Sequence, residues 1–155
     1  MLRKLKEFIF GKPPIEMNHE YFGKILFIGG KIHEEDDYWE AELEIKEANG
    51  PITVLVKVGK EGPTSKHVAF YKQCVTDLDT LFDKCWPIFE PDFQEWTDKP
   101  FSGKWREDFE LMSIEIPREA DENKEWAVGY YVDAANHYFT ARFIGGKPKY
   151  NEIDG

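Results

Sequence analysis

TSKHVAFYKQCVTDLDTLFDKCWPIFE, residues 64–90, is the one strongly helical stretch in a chain otherwise written in strand period. Val68, Tyr71, Val75, Leu78, Phe82, Cys85 and Phe89 recur at alternating three- and four-residue steps, which puts them on one helical stripe. Thr64 or Ser65 caps the start after Pro63, and Pro87 kinks or ends the helix because its ring clashes with the preceding turn. Cys74 and Cys85 lie eleven residues apart. On a helix that is about 16 Å, too far for a disulfide, and eleven steps of about 100° return to the same face. Two reduced, buried thiols are therefore expected, in keeping with a cytoplasmic protein.

Outward from this segment the period changes to two. Upstream, 38–46 and 52–58 read as a hairpin in which Trp39, Ala41, Leu43 and Ile45 face inward while Glu40, Glu42 and Glu44 face out. A four-residue loop, 48–51, around Asn49-Gly50 accommodates Pro51 and sets Ile45 opposite Val54, Leu43 opposite Val56, and Ala41 opposite Val58. The same register puts Glu42 across from Lys57, a favourable pair. Strands are also expected at 15–20 and 24–28. Downstream they are expected at 109–116, 126–132 and 139–144, the last two pairing about Ala135-Asn136 with Val132 opposite Phe139. Phe-Ile-Gly-Gly-Lys occurs at 27–31 and at 143–147, each copy ending a strand where paired glycines let the chain turn.

Leu2, Leu5, Phe8 and Ile9 sit at helical spacing, so residues 1–12 are expected to form a short N-terminal helix stopped by Gly11 and Pro13-Pro14. That segment is too short and too charged for a signal peptide or a membrane span. Residues 146–155 are polar and expected to form a flexible tail. The fold expected is α+β: one domain over 1–155, with a curved antiparallel sheet of about six or seven strands packed on one long helix.

At 155 residues the chain can bury a large core without a staple. Its formal charge is −10 with 15% aromatic residues. An acidic chain lacks the cations that neutralise phosphates, which argues against direct nucleic-acid binding, and its field attracts basic partners. No chemistry-bearing motif emerges. The acidic loop 34–37 beside His33 lacks EF-hand spacing, and His19, His33, His67 and His137 fall on four separate elements, so neither a metal nor a cofactor is expected. The better lead is the segment 93–106, where Trp96, Phe101, Trp105 and Arg106 occur without helical or strand period. Such a stretch closes a core as a lid or presents a binding surface, since Trp and Arg dominate hot spots.

The strand–Phe22-Gly23–strand opening, Tyr38-Trp39 at the start of a hairpin, Pro63-Thr64 leading the helix and the closing strands from Trp126 resemble a loose group of small bacterial α+β proteins. Some of that group are proposed immunity proteins of toxin systems, and no catalytic motif comes with it. The resemblance implies a non-enzymatic acidic module that captures a basic protein. Glu40, Glu42, Glu44 and the loop 34–37 would steer the partner, and Trp96 and Trp105 would anchor it. The alternative is a small-molecule binder or enzyme with a pocket between sheet and helix under the 93–106 segment. Self-association into a homodimer through an aromatic face is a third expectation.

Overall fold

The period-two runs fold as β1 (Ile15–His19), β2 (Gly23–Ile28), β3 (Tyr38–Leu43), β4 (Ile52–Lys57), β5 (Glu110–Ile116), β6 (Trp126–Val132), β7 (His137–Ile144) and β8 (Lys147–Asp154). The computed structural model describes residues 15–30 and 32–155, so the helix expected over 1–12 lies outside the described residues. The eight strands lie in one sheet in chain order. Neighbours are antiparallel except β4 and β5, which run parallel with Val54 opposite Ile114. A parallel pair cannot be closed by a hairpin. The crossover is helical: α1 (Ser65–Thr76), α2 (Leu78–Thr97) and the single turn α3 (Trp105–Asp108). The α+β class is as expected, but the sheet has eight strands rather than six or seven.

The long helix expected over 64–90 is two helices. Asp77 adopts an extended conformation (φ −141°, ψ 94°) between them, and its carboxylate accepts from the Thr80 N–H at 3.1 Å and from Thr80 Oγ1 at 2.8 Å. An Asp-x-x-Thr run inside the helical stripe is thus a cap for a new helix. Its consequence is a shift of face: α1 buries His67, Tyr71 and Cys74, while Val68 and Val75 are only half-buried. α2 then runs straight through Pro87 and Pro91 to Thr97. Both prolines are exposed, so the carbonyls they leave unpaired face water. The opposite side buries Leu78, Leu81, Phe82, Cys85, Phe89 and Phe93. Each such side chain contributes about 1.5–3 kcal/mol, which together outweighs about 3 kcal/mol per interior proline.

Cys74 and Cys85 both lie in the core, Cys85 fully enclosed, and neither is in a disulfide. Burial pushes the Cys74 thiol up to about 12 and raises that of Cys85 as well, so both act as small apolar groups. The core they share includes Trp39, Val54, Val56, Ile114, Ile116, Val128, Tyr130 and Phe139.

Two registers differ from expectation by an even number of residues. Leu43 pairs with Ile52 and Ala41 with Val54, so the β3–β4 loop spans 44–51, and Lys57 faces Tyr38 instead of Glu42. Pro51 lacks an N–H for a ladder and stands just before β4. Val132 pairs with His137 across a turn ending in Asn136, whose φ of 53° closes it. Because an even slip preserves the pleat, the inward faces are as expected in both hairpins.

The tail expected to be flexible is β8. Gly145 (φ 63°) and Gly146 (φ 78°) form a two-residue turn that sets Ile144 opposite Lys147. On the inner face Ile153 packs on the core, and Asn151 Nδ2 donates to Asp92 Oδ2 of α2 at 3.0 Å. Replacing Gly146 with Val should cost about 1–2 kcal/mol, because a branched side chain resists positive φ, and should speed amide exchange along β8. Gly145→Asn, which creates an Asn-Gly turn, should leave the melting temperature and β8 exchange unchanged.

Candidate functional site

The helices cover one face of the sheet, where the core lies. On the other face the registers line up Leu26, Glu40, Leu55, Glu115, Ala127, Arg142 and Tyr150 in one row across β2 to β8. Glu42, Thr53, Ser113, Gly129, Thr140 and Glu152 form the next. A β-bulge at Met112 is what brings Ser113 and Glu115 onto this side.

An ion network crosses the first row. Glu115 takes Lys57 Nζ at 2.8 Å and Arg142 Nη1 at 2.6 Å, and Arg142 Nε donates to Glu152 at 3.1 Å. The Arg142–Glu115 pair spans β6 above Ala127, whose small side chain leaves room and is itself buried. Partial burial lowers the Arg142 pKa, but Glu115, Glu152 and Glu125 outweigh it and hold the guanidinium above its ordinary value. Lys24 is likewise tied to Glu16 at 3.4 Å. Glu40, Glu42 and Glu110 form no ion pair with another described residue. Four tyrosines share the face: Tyr38, Tyr131, Tyr138 and Tyr150, of which Tyr138 and Tyr150 are 43% and 46% exposed.

The residues singled out in the sequence fall in separate places. Glu40 and Glu42 are on this open face, and Glu44 is exposed just past the end of β3. In the loop 34–37, Glu34–Asp36 form an exposed 3-10 turn, and half-buried Asp37 accepts the Gly30 N–H at 2.7 Å. Trp96 is 44% exposed near the end of α2, its ring 4.6 Å from that of His137. Phe101, Trp105 and Arg106 lie on the helical side. Phe101 stacks on Trp86 at 4.1 Å and Trp105 on Phe82 at 5.2 Å, so the space expected to hold a pocket under this segment is filled by rings. The Trp105 indole donates to Asp79 at 2.7 Å. Arg106 lies over the Trp105 ring and reaches Asp79 and Glu47. The acidic face and the tryptophans are therefore not one surface.

Glu115 and Arg142 carry no signal in the sequence, and Lys57, expected opposite Glu42, pairs with Glu115 instead. Each stands at an outward strand position, but the row they form depends on the bulge and on the parallel β4–β5 register. His67 and Arg118 were missed as a pair for the same reason: they meet only through the crossover. Comparison with protein-family models, curated proteins and solved structures gave no match. No helix among the described residues is long and apolar enough to cross a membrane.

The 98–104 loop is fastened by Asp108, which is 7% exposed and accepts from Lys99 Nζ at 2.9 Å, the Ser102 N–H at 3.1 Å and Ser102 Oγ at 2.7 Å. Burial raises its pKa, but the Ser102 and Lys99 hydrogen bonds prevail and hold the carboxyl below the usual range. A depressed folded-state pKa stabilises above the unfolded value and loses that contribution as pH falls through the folded one. Asp108→Asn should therefore cost about 1–3 kcal/mol at neutral pH in denaturant unfolding. The gap to the unsubstituted protein should close below about pH 4.

Proposed function

We propose that this protein is a non-enzymatic binding module that takes a basic protein partner on the open face of its sheet, as an immunity-type inhibitor does. The observation carrying this reading is an eight-stranded face left bare by the helical layer, on which Lys57 and Arg142 are already held by carboxylates. Glu40, Glu42 and Glu110 are left to attract cationic groups from outside. The formal charge of −10 adds long-range steering. Tyr138 and Tyr150 supply the amphipathic rings that hot spots use, in the place first given to Trp105, which is committed to the core.

The test uses a basic protein encoded next to this chain's gene as the ligand in calorimetry. Affinity should fall about tenfold or more between about 50 mM and about 300 mM salt. The double substitution Glu40→Lys, Glu42→Lys should weaken it about tenfold again at low salt, with the melting temperature unchanged, because both side chains are on the solvent side. Trp96→Ala, on the helical side, should change it less than about twofold. Binding indifferent to salt and to the two lysines, or no binding, would sink the proposal.

A further inference from the structure

A second feature lies where β4 and β5 both end. The parallel pairing brings Val58, just past β4, beside the 118–120 turn that follows β5, and the chain between β4 and α1 returns the first turn of α1 to the same place. Between them is a cavity of about 420 Å³ lined by Val58, Glu61, Thr64, Ser65, Lys66, His67, Arg118 and Glu119.

His67 is the decisive residue. It is 2% exposed, and its Nδ1 accepts the Thr64 backbone N–H at 2.9 Å. That bond fixes the neutral tautomer with the proton on Nε2. Burial lowers its pKa and outweighs Glu61, which raises it; His19 lowers it further, so the ring is held neutral. Nε2–H is thus a buried donor, and it has no acceptor among the described residues. Arg118 repeats the pattern. Its Nη2 is fixed on the Glu34 carbonyl at 2.7 Å, while its Nε is buried without a partner. Buried donors in native proteins are nearly always satisfied, so two orphans beside one cavity call for an acceptor inside it. The third contribution is the start of α1, a twelve-residue helix whose first N–H groups carry the positive end of its dipole.

We propose that this pocket binds a compact oxyanion, the phosphate or carboxylate head of a small molecule, held by His67 Nε2–H, Arg118 and the first-turn amides of α1. Net charge does not select it: Lys66 and Arg118 are balanced by Glu61 and Glu119, the latter tied to Lys124 at 3.1 Å. Selection comes from directed donors, as at other anion sites on helix N-termini. The site is independent of the open sheet face, and either can fail without the other.

Titration of the full ¹⁵N-labelled chain with inorganic phosphate, and separately with acetate, at ionic strength matched with chloride tests it. Saturable shifts of the Ser65, Lys66 and His67 amides and of the His67 Nε2–H are expected, the tighter anion naming the head group. His67→Phe keeps a ring but removes both nitrogens, so it should weaken binding about tenfold or more, and Arg118→Gln likewise. Should His67→Phe fail to fold, Arg118→Gln and the wild-type titration still decide. Shifts that do not saturate with either anion, or equal affinity in both variants, would overturn the site.

Discussion

The parallel pairing of β4 with β5 is the constraint on which the rest of this architecture depends. Two antiparallel meanders, β1–β4 and β5–β8, could each close with short turns, but joining them side by side in parallel demands a crossover. Among the described residues the crossover supplies all three α-helices, which fall on one face and leave the other uncovered by them. It also returns the start of α1 to the carboxyl ends of β4 and β5. The bare sheet and the pocket with orphan donors are two consequences of one pairing.

What fixes the crossover on the sheet is a seam of rings. Phe82 touches Trp105, Phe109 and Tyr130 with centroids 5.2, 5.0 and 5.6 Å away, and Phe89 meets Phe109 and Phe139 at 5.5 and 5.8 Å. Each buried ring contributes about 1.5–3 kcal/mol from area, and each pair about 0.5–1.5 more. The exposed Arg106–Glu47 pair, at no more than about 1 kcal/mol, is minor by comparison. Ring stacking, together with the Asp108 hydrogen bonds to Ser102 and Lys99, therefore holds the 98–108 segment down, and the aromatic surplus of the sequence is spent on the seam. Trp96 is the tryptophan that stays 44% exposed.

Much of this was legible because period is a local property. The inward sets of β3, β4, β6 and β7 followed from alternation, and they survived register slips of four residues in β3–β4 and two in β6–β7 because both are even. Both thiols are buried as expected, although the chain leaves the helix at Asp77 between them. Local reading erred where one residue serves two roles. Asp77 sits on a plausible helical surface yet caps a new helix, and Pro87 reads as a stop until the packed opposite face is weighed against it. β8 carries Ile153 as an inward apolar residue where β3 to β7 carry three or four, so it reads as a tail, though the Gly145-Gly146 turn was there to be read. Neither candidate site was accessible in the same way. The open-face network joins residues 57, 115, 142 and 152, and the pocket joins 58 and 61 to 64–67 and 118–119. The crossover sets 57 beside 115, and 58 and 64–67 beside 118–119.

The two sites also differ in what they leave unsatisfied, and that difference decides what each can hold. In the open-face network both cations are already held: Arg142 is shared among three carboxylates and Lys57 is bound to one of them. A polyanion approaching there meets no free cation in the network and several unpaired carboxylates, so repulsion works against it and attraction favours Lys- and Arg-rich surfaces. In the pocket the imbalance is reversed, with donors from His67 and Arg118 buried and acceptors missing. A burial that strands a donor is costly enough that folds seldom retain it without a partner. A net charge of −10 therefore describes the field around the molecule. It does not describe the open cavity at the end of β4 and β5, where direction of hydrogen bonds outranks total charge.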